Sequence, residues 1–449
     1  MRKQILTGVE FFEEVIEGDY FYIDKTLFIK ELLENRGKVT LITRPRRFGK
    51  TMNMSMLRAF FSIGTPNQIP SPRECSKSLF DRLKIMEHED IVEKHMNKYP
   101  VVFLTLKNVE FSAYKGAIEM ISGLVASVYQ QNLYICDGES LNEFKKKEFY
   151  RYCAKEATES ELQYALSFLT ECLQAYHGKR AIVLLDEYDA PITYALGKGY
   201  YSEMISFMRS FLGSAFKTND SLEFGVLTGV QRISRESLFS SFNNPLVCGI
   251  MDTPFSTSFG FTEGEVKEAC EEYGFSGTYD EVKSWYDGYR FGGRDMYNPW
   301  SITGYLKSGV FENYWVSTGG VDVLRDIFYK GDDRLRDDMA SLLTGAPITM
   351  SLEDGITYPV NFVKSDTFWT MFLNAGYVKP CNGAKADKFE AELVNREVRN
   401  IFSRYAENWL STQRESISQA IAGFAKSLLS GDAEAVREIL NEELLNNPS

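Results

Sequence analysis

The stretch Val39-Thr40-Leu41-Ile42-Thr43-Arg44-Pro45-Arg46-Arg47-Phe48-Gly49-Lys50-Thr51 decides the fold. Val39 to Thr43 is a short apolar, β-branched run of the kind that forms a buried strand. The run after Thr51 has helical spacing, with Met54, Leu57 and Phe60 on one face. Strand, loop, Gly-Lys-Thr and helix in that order gather the backbone N–H groups of the loop and of the helix N-terminus around one point. Their partial positive charge suits a phosphate. In such a loop Lys50 reaches the terminal phosphates, Thr51 holds Mg²⁺ through its hydroxyl, and the backbone from Arg44 to Met52 wraps the anion. The start of the loop departs from the usual pattern, because Arg44 stands where glycine is expected and Pro45 removes one N–H donor. Arg46 and Arg47 fit either phosphate charge or a solvated rim, and a basic turn capping a helix would explain the string as well.

A second string complements the first. Ala181-Ile182-Val183-Leu184-Leu185 is aliphatic and stops abruptly at Asp186-Glu187-Tyr188-Asp189, the form of a Walker B element following a Walker A loop. Asp186 would bind Mg²⁺ opposite Thr51. Glu187, one residue further at the C-terminal edge of the strand, would polarise the attacking water. Alone, this is as well explained by a strand ending in a solvated acidic turn. The Gly-Lys-Thr loop about 135 residues upstream, with another strand between, makes the pair informative. Two further runs, Val101 to Leu106 and Phe224 to Val230, have strand character. Ile118, Ile121, Leu124, Val125 and Val128, and later Leu162, Leu166, Leu169 and Leu173, have helical spacing. Strands alternating with helices predict an α/β fold, a three-layer P-loop NTPase core around a parallel sheet. The spacing of the two motifs predicts the branch of P-loop ATPases in which a strand lies between them. That strand would present Thr228 or Gln231 as a polar sensor, with Arg232 either a charge sensor, a finger acting on a neighbouring subunit or a plain surface arginine.

After about Phe261 the chain turns mostly helical. Thr262 and Glu265 make a capping-box pair, and Asn298 before Pro299 is a second helix start. Val394, Val398, Ile401, Tyr405 and Trp409 keep one face apolar, as do Ile417, Ile421, Phe424 and Leu428. The expected organisation is a core over 1–260, a helical lid over 261–380 and a C-terminal helical region over 381–449.

Composition narrows the function. The 449 residues carry 62 acidic against 50 basic side chains, a formal charge of −12, which argues against a wholesale nucleic-acid coat. Seven cysteines without a Cys-x-x-Cys pair are expected to be reduced thiols of a soluble, cytoplasmic protein. No apolar run reaches the roughly 18 residues of a membrane span. Three histidines supply a zinc site poorly, and His88 and His95 are two turns apart if helical.

The ordered set of strings resembles a bacterial AAA-ATPase-like family whose members commonly carry a C-terminal PD-(D/E)XK nuclease-like domain. The matching strings are Tyr22-Ile23-Asp24-Lys25-Thr26, Arg44 to Thr51, Leu185 to Pro191, Thr228 to Arg232, Phe242-Asn243-Asn244 and Phe259 to Thr262. Trp285 to Phe291, Tyr297 to Ser301 and Asn395 to Val398 complete the set. The resemblance implies that Arg44 is a family habit, that the segment holding Asp24 and Lys25 lies near the adenine, and that Trp285 to Ser301 belongs to a lid. In the family a nuclease-like domain often follows the Asn-Arg-Glu-Val segment. Here the chain stops about fifty residues later, and the strings Glu143 to Lys145, Glu265 to Lys267 and Glu281 to Lys283 have no preceding strand-borne aspartate. No nuclease activity is expected of this chain.

Other features have bland explanations. Trp285, Tyr286, Tyr289 and Phe291 could stack on bases, but packing explains them better. Lys145, Lys146 and Lys147 make a solvated helix face. A helicase would need a second motor domain, for which the second half offers no strands. The expectation is an ATPase that binds ATP and Mg²⁺ and hydrolyses ATP slowly as a nucleotide-driven switch, with Lys50, Glu187 and Arg232 as its catalytic set. The rival is a non-hydrolysing regulatory module that uses nucleotide as an assembly signal. ATP and ADP are the expected partners, no membrane is expected, and a homo-oligomer, a protein partner and nucleic acid are left open.

Overall fold

A computed structural model describes residues 2–65, 71–233, 245–315, 333–353, 365–381 and 388–404, with Glu434 and Arg437 beyond them. Five strands form one wholly parallel sheet: β1 (Val39–Thr43), β2 (Val101–Thr105), β3 (Ala181–Asp186), β4 (Leu222–Gly229) and β5 (Leu246–Cys248). Their order across the sheet is β2-β3-β4-β1-β5. The strand β4 thus lies between the loop strand and the acidic strand, pairing Thr43 with Gly229 on one side and Leu185 with Leu227 on the other.

Both faces of this sheet are covered, which is why its strands are apolar almost throughout. Ala181, Val183 and Leu185 point into a core built with the helices Tyr114–Gln131, Ala165–His177 and Tyr201–Phe216. Ile182 and Leu184 alternate to the opposite face and are equally buried. On that face Phe224 meets Phe61 edge-on at 5.7 Å, which brings in the helix Lys50–Phe61. The result is the three-layer α/β core. In the helix Tyr114–Gln131, Ile121, Val125 and Val128 are buried while Ile118 and Leu124 are only partly covered. Leu162 ends a one-turn helix, Glu159–Leu162, opened by a Thr158–Glu161 capping box, before Leu166, Leu169 and Leu173 continue on the next helix.

Past residue 260, Thr262 and Glu265 cap the helix Glu263–Tyr273. The Asn298 side-chain oxygen accepts from the Trp300 and Ser301 N–H groups to open Pro299–Ser308. Alongside the helices stand two small antiparallel sheets that the sequence did not announce. One joins β6 (Phe261–Thr262), β7 (Tyr289–Phe291) and β8 (Arg294–Tyr297) in the order β6-β8-β7. The other joins β9 (Ile348–Ser351), β10 (Val378–Pro380) and β11 (Lys388–Leu393) in the order β10-β11-β9. Most of these strands, at two to four residues, are too short for a period-2 pattern to emerge from, whereas Lys388–Leu393 does alternate, burying Phe389, Ala391 and Leu393, and escaped sequence reasoning. The β7–β8 hairpin turns on Gly292 and Gly293, at φ 54° and 82°, a conformation that side chains resist.

Residues 1–397 make one compact unit and 398–449 a second, in which the described residues 398–404 are helical. The expected helical faces through Tyr405 and Trp409 and over 417–428 lie outside the described residues, as does the Phe242-Asn243-Asn244 string. All seven cysteines are thiols, none joined in a disulfide. Among the described residues no helix is long and apolar enough to cross a membrane.

Candidate functional site

The strand β1 ends at Thr43, and the chain turns back through Arg47 at φ 68° and Gly49 at φ 79° before the helix begins at Lys50. The left-handed turn lets the loop close over the helix N-terminus, where N–H groups are free to meet an anion. Lys50 is buried. Its ammonium donates to the Arg44 and Pro45 carbonyls, both at 3.1 Å, and lies 3.3 Å from Glu187 Oε1. Thr51 donates its hydroxyl to Asp186 Oδ2 at 2.7 Å, so the two motifs meet.

Asp186 is the last residue of β3 and fully buried. Besides Thr51 it accepts hydroxyl protons from Thr228, at 2.6 Å on Oδ1, and from Thr105, at 3.3 Å on Oδ2. Burial, and then the neighbouring Glu187, push its carboxyl above the usual aspartate range, while the Thr228 and Thr51 hydroxyls pull the other way. Glu187 sits at φ 53°, a left-handed conformation costly for a side-chain-bearing residue and frequent at functional sites. Beyond it, Tyr188 and Asp189 lie against the C-terminal end of β4. The Tyr188 hydroxyl donates to the Gln231 carbonyl at 2.7 Å, and Asp189 accepts the Val230 and Gln231 N–H groups. Burial, with Glu187 nearby, raises the Asp189 carboxyl to about 6.

A cavity of about 430 Å³ opens over these residues. Arg46, Arg47, Phe48, Gly49, Lys50 and Thr51 line one wall, continued by Met52 and Asn53, and Lys107, Asn108 and Glu187 stand at the sheet edge. The N-terminal segment supplies Thr7, Gly8, Val9, Tyr22, Ile23 and Lys25, and Phe261, Pro299 and Trp300 close the far side. Thr51 lines the cavity, and Asp186, fully buried and outside the lining, is hydrogen-bonded to it; hydroxyl and carboxylate oxygens are hard donors of the kind Mg²⁺ prefers when phosphates complete its shell.

Several expected residues face elsewhere. The Asp24 side chain does not line the cavity: one oxygen accepts from Thr26 and the other from the Lys84 N–H, pinning the turn before the helix Leu27–Asn35. Its neighbour Lys25 does line it, but its ammonium is bound to Glu265, at 2.7 Å, and to the Thr257 carbonyl. Burial lowers the Lys25 pKa against the pull of Glu265. Arg44 turns wholly inward, donating to the carbonyls of Thr43, Cys248, Gly249, Pro254 and Phe255. It also lies over the rings of Phe259 and Phe291, and burial brings its pKa down to about 10. The loop draws on Arg44 and Pro45 through their carbonyls. Thr228 faces Asp186. The Gln231 amide donates to Met371 O and accepts from Asn374 in the helix Ser365–Ala375. Arg232, half-buried, follows it outside the cavity lining and makes no hydrogen bond or ion pair among the described residues.

Two contributions escaped sequence reasoning. Thr7, Gly8 and Val9 carry no motif. The segment after residue 248 also holds the loop residue by residue: Phe48 packs edge-on against Tyr289 and Phe291 at 4.8 and 5.0 Å, and the Arg47 guanidinium lies 4.2 Å over Trp300. The Arg46 carbonyl accepts from Asn298 Nδ2 and Trp315 Nε1. The strings Trp285 to Phe291 and Tyr297 to Ser301 were visible as a resemblance, but nothing in their spacing pointed at the loop.

The model of a family described as predicted AAA-ATPase matches residues 6–239. A curated relative, described as an uncharacterized protein in the vnfD 5' region of Azotobacter chroococcum mcd 1, is 29% identical over 330 residues. The aligned stretch covers 73% of this chain and 56% of that protein, so the chain spans about half the length of the curated relative it matches.

Proposed function

This chain belongs to the predicted AAA-ATPase family, and from that premise we propose that it binds ATP with Mg²⁺ in the cavity above β1 and β3 and hydrolyses it to ADP and phosphate. The observation that carries the reading is the meeting of Thr51 with Asp186 and of Lys50 with Glu187 at one end of that cavity. Lys50 and the N–H groups around Gly49 would take the phosphates, exchanging the Arg44 and Pro45 carbonyls for a stronger, fully charged acceptor. Thr51 and Asp186 would hold Mg²⁺, which when bound neutralises charge on the transferring phosphoryl group. Glu187 would orient the attacking water. The nucleotide would then act on residues 261–380 as a lid, because the loop is fastened to Asn298, Trp300 and Trp315. Arg232 would serve as a charge sensor or as a finger for a neighbouring subunit, with a plain surface arginine the alternative, and thiols outside any disulfide suit the cytoplasm.

One observation favours a second reading, a module that binds nucleotide without turnover. The Lys50 ammonium 3.3 Å from Glu187 could hold the carboxylate off the water. Phosphate release and binding of a fluorescent ATP analogue, measured on the wild type, Glu187→Gln and Lys50→Ala, separate the two. Hydrolysis predicts that Glu187→Gln abolishes turnover and keeps binding, while Lys50→Ala loses binding by roughly 10-fold or more. A wild type that binds but releases no phosphate supports the second reading, and one that does not bind removes both.

A further inference from the structure

We propose that Thr105, on the edge strand β2, is a positioning residue for the magnesium site, its hydroxyl fixing the orientation of the Asp186 carboxylate. The inference rests on the reading of Asp186 as the metal-holding carboxylate.

The sheet register brings the two together. Thr105 is the direct partner of Asp186 across β2 and β3. On the other side Leu185 pairs with Leu227, so Thr228 falls opposite Asp186 as well. Side chains of one register row point to the same face, and this row carries hydroxyl, carboxylate, hydroxyl. The Phe103 and Val101 positions of β2 share that face, while Val102 and Leu104 belong to the core beneath the other. Thr105 is therefore aimed by strand geometry.

Proton bookkeeping fixes the direction of the bond. A threonine hydroxyl has one proton to give and can accept through its lone pairs. Thr105 Oγ1 accepts the Lys107 N–H at 3.4 Å, which leaves its proton for Asp186 Oδ2 at 3.3 Å. Thr51 uses the same oxygen from the other element, and Thr228 holds Oδ1. The carboxylate is braced at both oxygens by groups from a helix and two strands. All three are neutral. A lysine or arginine in their place would orient Asp186 but cancel the charge that a divalent cation needs, whereas hydroxyls orient it and leave the charge intact. Thr51 has a second task, since it would offer its lone pair to the metal. Thr105 has none, and it keeps Oδ2 anchored independently of that exchange.

Partners of this kind typically change metal affinity about 10-fold to 100-fold when removed. The test uses the full chain, with binding of a fluorescent ATP analogue followed first in EDTA and then against rising Mg²⁺, for wild type, Thr105→Val and Thr105→Ser. In EDTA the three should bind alike, because the phosphate loop is untouched. The half-saturating Mg²⁺ concentration should rise about 10-fold in Thr105→Val and stay within about twofold of wild type in Thr105→Ser. A Thr105→Val curve that matches wild type overturns the proposal, as does a Thr105→Ser variant equally impaired. Loss of metal-free binding in Thr105→Val overturns it in favour of a packing role. A wild type with no Mg²⁺-dependent gain overturns the reading of the metal site itself, and the inference falls with it.

Discussion

Thr51 donates its hydroxyl to Asp186 Oδ2 at 2.7 Å across 135 residues of chain. The contact exists because β4 threads between β1 and β3 with its own Thr228 reaching the same carboxylate at 2.6 Å. A parallel sheet places the C-terminal ends of all its strands along one edge, so residues at the ends of β1, β3 and β4 become neighbours whatever their distance in sequence.

Arg44 should matter to stability more than to phosphate contact. Its guanidinium satisfies a ring of buried and part-buried carbonyls, from Thr43 to Phe255. Arg44→Ala should cost on the order of 3 kcal/mol or more, since each abandoned buried acceptor costs about 1–3 kcal/mol. Arg44→Lys should recover only part of this, because an ammonium cannot present the same planar fork. Urea denaturation of the two variants checks the ranking; equal stability of Arg44→Ala and wild type would contradict it.

Asn298 joins the helix start to the loop. Its side-chain oxygen caps Pro299–Ser308, and its amide donates to the Arg46 carbonyl at 3.4 Å. Asn298→Ala should lose about 1 kcal/mol of stability from the cap and weaken ATP-analogue binding by a few fold through the loosened loop. Asn298→Ser keeps a capping oxygen but has no amide for the Arg46 carbonyl, so it should recover most of the stability and not the binding. Thermal melts beside binding titrations on both variants distinguish the two effects.

Glu397 gives a pH dependence. It is buried, accepts from Ser301 Oγ at 2.8 Å and the Trp315 N–H at 2.7 Å, and burial raises its pKa from 4.5 to about 7. A carboxyl that holds its proton better when folded favours the folded state less as pH rises. Nothing changes below about 4.5, where both states are protonated. Stability then declines by up to about 1.4 kcal/mol per pH unit until the folded-state carboxyl also ionises near 7. Glu397→Gln removes this slope. Its melting temperature relative to wild type should therefore increase between pH 5 and pH 7.5, and a difference that stays flat over that window would show that Glu397 does not titrate as described.

The strands β1 to β4 and the helix after Gly49 were legible because each is announced locally. An apolar run of five or six residues bounded by turn chemistry needs little context to be recognised. The capping residues Thr262 and Asn298 were legible for the same reason, since a cap is satisfied within three residues. The strand β5 and most strands of the two small sheets were not, because Leu246–Cys248 or Phe261–Thr262 becomes a strand only by finding a partner far away in sequence; β11 alone among them is long enough for its local alternation to show. Gln231 shows the same limit in the site: its place at the end of β4 was foreseeable, but its amide turns to Met371 and Asn374 in a helix no local pattern connects to it.

By itself, then, the sequence determined the parallel α/β core and the chemistry available at its edge: a lysine and a threonine after a glycine, an aspartate and a glutamate after a strand. Those identities follow from short-range rules. Only the tertiary structure decided which way each side chain faces. Arg44 became a buried staple, Asp24 a turn pin and Lys25 the partner of Glu265, while Phe48, Arg47 and the Arg46 carbonyl were taken up by Tyr289, Trp300 and Asn298. The physical reason is that a buried polar or charged group must find its partner in space, and sequence carries no record of which distant backbone or ring will arrive beside it.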